Sequence, residues 1–309
     1  MNESQAFPRV AVVGAGAVGG YFGGVMARAG ASVVMIGRQG FVDAVTPKGL
    51  FLDTVQFQET VRVEASTELS AVRGAEIVLF CVKTTDTTDT ARELVPFLAP
   101  NTVVVSLQNG VDNAERIRTA SGLDAVGAVV YVAAEVKAPG HVQHFGRGDL
   151  VIGPETEQTK RLAAQFSRCG VPCRVSNNIE GELWVKFIAN CALNPVSAIG
   201  QAKYGRIADS PDAVKLLEMV GDEVLAVARA AGIVMPGVED RAAALAISMK
   251  IATQVREQFS STGQDLNRGK RTEIDSLNGH IVRRGAELGV PTPTNHALYT
   301  LVKLLEGHK

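Results

Sequence analysis

Two short stretches of this sequence carry residue types whose spacing could do chemistry. The first is Gly14-Ala15-Gly16-Ala17-Val18-Gly19, which follows the apolar run Val10-Ala11-Val12-Val13 and leads into a helical pattern. Between a strand and a helix, a Gly-x-Gly-x-x-Gly motif cradles a nucleotide pyrophosphate. Gly14 allows the tight turn, Gly16 lets the backbone approach the phosphates, and Gly19 lets the helix pack closely on the strand. The helix N-terminus then offers N–H groups and a favourable dipole to the anion. The second stretch runs from Leu183 to Pro195, where Lys186, Asn190 and Asn194 recur every four residues on an otherwise apolar helix and so form one polar stripe. Lysine and asparagine are expensive to bury without partners, and a stripe facing a wet, ligand-filled cleft would satisfy them. The same spacing is equally met by a solvent-facing Lys186, an Asn190 bonded in the core and an Asn194 that ends the helix before Pro195.

The end of the second strand bears on which dinucleotide would bind. Ala31 to Ile36 reads as a parallel strand after the helix Tyr21–Ala29, and it ends in Gly37-Arg38. Sites for NAD usually place an acidic residue there to accept from the ribose hydroxyls, whereas a guanidinium suits a 2′-phosphate, so NADP is expected. Lys83 follows the apolar run Ile77–Val82. The C-terminal ends of such strands line the ligand crevice of an open α/β sheet, which makes Lys83 a second candidate phosphate contact.

These residues need a scaffold, and the pattern of the chain supplies one. Strand-like runs alternate with helical or loop segments up to Gly153, including Val103–Leu107 before Gln108-Asn109-Gly110 and Ala125–Val132. The segment from Val136 through Pro139-Gly140 to Gly153 reads as an antiparallel addition to the sheet, Leu162–Cys169 as amphipathic, and Cys173–Val175 as a last short strand. After Asn178 the pattern is helix only, with segments Glu182–Asn194, Asp212–Ala231, Val238–Gln258, Thr272–Leu288 and Asn295–Leu305. Breaks are expected at Pro195, Gly232, Pro236, Gly263 and Gly289. The expected class is α/β, with an N-terminal Rossmann dinucleotide-binding domain over residues 1–177 and an all-helical domain over 178–309. A catalytic cleft is expected between them.

Composition narrows the function. With 46% hydrophobic residues in 309, the chain can form two real cores, and a formal net charge of −1 points to neither nucleic acid nor an anionic membrane. No leader pattern or bilayer-spanning stretch is seen, so a cytoplasmic location is expected. Four scattered cysteines, Cys81, Cys169, Cys173 and Cys191, make no disulfide framework, and His141 and His144 fall on opposite faces of a strand; no metal site is expected. An apolar helix face in the second domain could serve a core or a dimer contact equally, which leaves a homodimer open.

Taken together, several stretches resemble the ketopantoate reductase (2-dehydropantoate 2-reductase) family. They are Asn177–Phe187, Asn190–Ile199 and Thr272–Gly279, with the glycine motif, Lys83 and Gln108-Asn109-Gly110 in the same order along essentially the whole chain. The resemblance implies a helical domain of the 6-phosphogluconate dehydrogenase C-terminal type. It also implies an NADPH-dependent oxidoreductase acting on CH–OH groups, which makes pantoate, a precursor of pantothenate and coenzyme A. Lys186 would be the general acid that protonates the C2 alkoxide, and Glu273 would hold the substrate hydroxyl, orient the lysine and border the cofactor. Asn190, Asn194 and Ser261 would position the small 2-keto acid, and Asn109 would lie near the nicotinamide and the substrate. Gly14, Ala15, Gly16, Ala17, Val18 and Gly19 would hold the pyrophosphate, and Arg38 and Lys83 the 2′-phosphate. The chemistry agrees with the residue types: hydride addition builds negative charge on oxygen, and an ammonium there stabilises the transition state more than the ground state. Reduction of another 2-keto acid on the same fold, and a non-enzymatic NADP-binding regulator, are the alternative readings. From the residues alone, Glu273 could equally be a helix N-terminal glutamate, and Ser260–Gly263 an ordinary helix-ending loop.

Overall fold

The computed structural model describes residues 7–307, and the chain divides into two compact units, Met1–Ile179 and Glu180–Lys309. In the first unit the elements in chain order are β1 (Val10–Val13), α1 (Ala17–Arg28), β2 (Val33–Ile36), α2 (Gln39–Lys48), β3 (Leu50–Asp53), β4 (Gln58–Val61) and β5 (Glu64–Ser66). They continue with β6 (Ile77–Phe80), α3 (Thr87–Leu94), β7 (Val103–Ser106), α4 (Asn113–Ser121), β8 (Val126–Ala138), β9 (His141–Gly153), α5 (Glu157–Arg168) and β10 (Cys173–Val175).

All ten strands belong to one mixed sheet, ordered β4-β3-β9-β8-β7-β6-β1-β2-β5 with β10 beside β9. Strands β5, β2, β1, β6, β7 and β8 are parallel neighbours in that order, the doubly wound arrangement of a Rossmann fold. The cause is legible in β1, β2 and β6. Each is a run of four apolar residues buried along its whole length, as strands covered by helices on both faces must be. The chain leaves β1 toward β2 on one side and reaches β6 on the other, so the topological switch point lies at the C-terminal ends of β1 and β6.

Helix α1 explains its glycines by what surrounds it. A Cβ on Gly23 would lie 2.7 Å from Val12 of β1, whereas one on Gly20 would lie 2.6 Å from Val142 of β9 and one on Gly24 2.8 Å from Leu52 of β3. The helix is thus gripped by the sheet on two sides, and side chains there would force them apart. Strands β3 and β4, and helix α2, have no counterpart among the sequence expectations. The first three residues of β4 are exposed and polar, and α2 carries Pro47 in its last turn, so neither shows the expected pattern. Residues Val126–Ala138 form one continuous strand rather than two segments, because Ala133-Ala134-Glu135 contains no breaker and is accommodated by register shifts against β9.

The second unit is helical: α6 (Ile179–Ile199), α7 (Tyr204–Ala208), α8 (Pro211–Ala230), α9 (Arg241–Gln254), α10 (Ser261–Asn267), α11 (Asn278–Leu288) and α12 (Pro293–Glu306). Helix α6 does not stop at Asn194 but runs through Pro195. Proline lacks the N–H that would bond the carbonyl four residues back, at Cys191. The side-chain amide of Asn278 supplies the missing donor, reaching Cys191 O at 2.9 Å. The same amide also donates to Asn295 Oδ1 at 2.9 Å. Asn295 in turn donates to Glu223, whose carboxylate also accepts from the backbone N–H of Thr294 and Asn295 at 2.8 Å each and so caps α12 from a neighbouring helix. Gly263 is not a break either. It lies inside α10, whose N-cap is Ser260.

Candidate active site

The glycine loop is built as the motif requires. Gly14 has φ +104°, and its amide and that of Ala15 both donate to Ile36 O, at 3.0 and 3.1 Å. A Cβ at Gly14 would come within 2.7 Å of the Cys81 carbonyl carbon, so the loop after β1 rests directly on the chain leaving β6. A Cβ at Gly16, by contrast, meets nothing within 4 Å, and the residue is exposed. Helix α1 has no side-chain cap, and by helix geometry the N–H groups of Ala17, Val18 and Gly19 find no acceptor inside it. An open approach at Gly16 over uncapped donors is a cradle that fits a dinucleotide's phosphates. Burial pushes the Cys81 thiol well up, so it stays neutral beside the loop.

The other proposed cofactor contacts come from adjacent loops. A Cβ on Gly37 would lie 2.9 Å from Cβ of Ala15, which puts the end of β2 against the glycine loop. Arg38 follows at once, exposed, with extended backbone, at the start of α2. Lys83 and Asn109 are half-buried at the ends of β6 and β7. What joins these two loops is Gln108, for which the sequence holds no more signal than an amide at a strand end. Its Nε2 donates to Val82 O at 2.9 Å and to Thr87 Oγ1 at 2.7 Å, while its Oε1 accepts from Ser106 at 2.9 Å. Asn109 O accepts from Asn113 Nδ2 at 2.6 Å and from Thr84 Oγ1 at 3.2 Å. This buried network fixes the backbone on both sides of the crevice.

In the second unit the polar residues of α6 divide. Trp184, Phe187, Ile188 and Cys191 are buried, and Trp184 and Phe187 meet edge-to-face at 5.5 Å with His280 against both rings. Lys186 and Asn190 are half-buried. Asn194 does not share their exposure. It is 5% exposed, its Oδ1 accepts from the Tyr204 hydroxyl at 3.2 Å, and its carbonyl accepts from Ser260 Oγ at 3.0 Å.

Asn190→Ala should therefore raise KM for the substrate with little change in Tm, whereas Asn194→Ala should also lower Tm, because it strands the Tyr204 hydroxyl at a cost of about 1–3 kcal/mol. Kinetics and melting on the same two variants check this. A fall in Tm with unchanged kinetics for Asn190→Ala would make Asn190 a core residue.

Ser261 is exposed as the first residue of α10, while its neighbour Ser260 is buried and caps the helix by accepting from Gly263 N at 3.0 Å. The segment begins a helix rather than ending one. Glu273 is half-buried and precedes a 3-10 turn, Ile274–Ser276, that is separated from α11 by Leu277 with φ −104° and ψ −106°. Thr272 to Leu288 is thus a turn and a helix, not one helix as expected. No helix among the described residues is long and apolar enough to cross a membrane.

Comparison with known proteins agrees along the whole chain. A family model described as ketopantoate reductase PanE/ApbA matches residues 10–157, and the model of its C-terminal part matches residues 178–306. A crystal structure of a PanE/ApbA family ketopantoate reductase from Ralstonia eutropha JMP134 is similar at 50% identity, covering 97% of this chain and 98% of its own, with a TM-score of 0.90. A 2-dehydropantoate 2-reductase of Pyrococcus horikoshii is 31% identical, over 97% of this chain and 98% of its own. D-mandelate dehydrogenase, solved with NADH and anilino(oxo)acetate, shares the fold with a TM-score of 0.89 at 23% identity, over 97% of this chain and 98% of its own.

Proposed function

Since this chain belongs to the ketopantoate reductase family, we propose that it reduces 2-dehydropantoate to pantoate with NADPH. The observation that carries the reading is Lys186, half-buried on α6 in a chain that matches the family over both units.

NADPH, when bound, supplies the hydride to C2 of the keto acid. The backbone of Gly14, Ala15, Gly16, Ala17, Val18 and Gly19 holds its pyrophosphate, Arg38 and Lys83 hold the 2′-phosphate, and Asn109 borders the nicotinamide and the substrate. Lys186 holds a proton at the C2 oxygen and gives it up as the alkoxide forms, which lowers the barrier because the charge it meets exists only in the transition state. Glu273 accepts from the substrate hydroxyl, keeps the lysine oriented and borders the cofactor. Asn190 and Ser261 donate to the keto acid, and Asn194 joins them through its amide N–H groups, its oxygen being taken by Tyr204. We place this enzyme in the cytoplasm, on the route to pantothenate and coenzyme A, as a homodimer. Exposed Leu301, Leu304 and Leu305 along α12 support two copies meeting.

NADPH oxidation measured with 2-dehydropantoate beside a panel of other 2-keto acids tests the reading. The expected result is a kcat/KM for 2-dehydropantoate at least about tenfold above every competitor. A competitor that equals or exceeds it moves the assignment to that substrate.

A further inference from the structure

We infer that the end of α12 is a positioning device for Glu273, in which Lys303 joins two anchors that hold the chain on either side of that residue. The inference rests on the proposed role of Glu273 toward the substrate.

A single 3-10 turn does little to hold itself, since its bonds are few and poorly aligned. The segment carrying Glu273 is instead fastened from outside. On its N-terminal side, Thr272 donates both its backbone N–H and its hydroxyl to Glu306 Oε1, at 2.7 and 2.6 Å. On its C-terminal side, the Asp275 carboxylate accepts from the Tyr299 hydroxyl at 2.8 Å and from Lys303 Nζ at 3.0 Å, and the Asp275 carbonyl accepts from Arg283 at 2.7 Å. The Lys303 ammonium also donates to Glu306 Oε2 at 2.7 Å, so one cation ties both anchors together. Between them Ile274 is fully buried in a cluster with Ala198, Leu266 and Val302.

The charges are set to persist. Burial alone would raise the Asp275 and Glu306 carboxyls, yet the bonds from Lys303 with those from Tyr299 and Thr272 hold both below their ordinary range. Burial alone would lower the Lys303 ammonium, but its two carboxylate partners raise it. These groups make no use of the substrate themselves. What they fix is where the Glu273 backbone stands, and displacement of a substrate-holding group by about 1 Å is enough to cost large factors in rate.

The test compares Glu273→Gln, Lys303→Met, Lys303→Arg and the double variant Glu273→Gln/Lys303→Met by kcat and KM for 2-dehydropantoate, NADPH Kd and Tm. Lys303→Met should lower kcat/KM by on the order of tenfold to a hundredfold, with Lys303→Arg recovering most of it and NADPH Kd unmoved. In the double variant, loss of Lys303 should cost nothing beyond Glu273→Gln, because both act through one carboxylate. If Lys303→Met stays within about twofold of the parent well below its Tm while Glu273→Gln is impaired, Lys303 merely staples the helix and the proposal fails. Multiplying effects in the double variant overturn it as well. A Glu273→Gln variant that is itself unimpaired refutes the assignment of Glu273 instead, and the positioning role with it. Should Lys303→Met not fold, Glu306→Gln, which keeps the side-chain length, carries the same comparison.

Discussion

Lys186→Met should lower turnover by roughly a hundredfold or more while NADPH affinity and Tm stay near the parent values. Methionine keeps an unbranched apolar stem at this half-buried position, so packing changes little and the lost ammonium dominates. Lys186→Ala removes both stem and charge, and comparison of the two separates them. The loss should fall on kcat more than on KM, because the proposed proton meets charge that develops only as hydride arrives. Single-turnover NADPH oxidation, followed at saturating 2-dehydropantoate, reads that step directly. Turnover within a few fold of the parent would remove Lys186 from the chemistry and return it to the solvent-facing side of a packed helix.

Arg38→Ala should weaken NADPH far more than NADH. Each charge-assisted contact to the 2′-phosphate is worth on the order of 1.5–3 kcal/mol, so the ratio of the two affinities should fall by about tenfold to a hundredfold. Two features make the position suitable. Gly37 packs against Ala15 of the glycine loop, which brings the next residue close to where the adenosine ribose would lie, and Arg38 is exposed with its backbone already extended. Raised salt should narrow the ratio in the parent protein, since an exposed guanidinium is screened. Titrations with both nucleotides decide the matter, and an unchanged ratio in the variant would make Arg38 a surface arginine with no part in cofactor choice.

How much of the fold and of the site is legible in the sequence depends on whether a residue's role is local. Strand β1, its glycine turn and α1 were legible because four buried residues, a positive-φ turn and a close helix contact each leave a residue type behind. In the second unit α6, α8, α9, α11 and α12 are legible from period, whereas α7 and α10, of five and seven residues, are too short to show one. Strand β4 was not, since it is polar and paired only at the sheet edge. The stripe on α6 shows where spacing stops short. Residues four apart are turned by about 40° relative to one another, so Asn194 is displaced by about 80° from Lys186 and is buried where Lys186 and Asn190 are half-buried. Gln108 and Asn278 were opaque because each acts on backbone groups distant in sequence, at Val82 and Cys191, and nothing near either residue records the need.

The bond between Asn278 and Cys191 O binds the history of two distant positions together. Asn278 is wholly buried, and its amide gives one hydrogen to Cys191 O and the other to Asn295, with its own oxygen lacking a hydrogen-bond partner among the described residues. Aspartate there would have no hydrogen to give, and glutamine would need room that a fully buried site lacks. An alanine at 195 would restore the N–H that Cys191 O is missing, and that oxygen, with two lone pairs, could accept from it and from Asn278 together. Descendants of this sequence can thus change the proline while the asparagine stays, but lose the asparagine without stranding Cys191 O only after the proline has gone. A proline at 195 should therefore be found with the asparagine, whereas the asparagine does not require the proline.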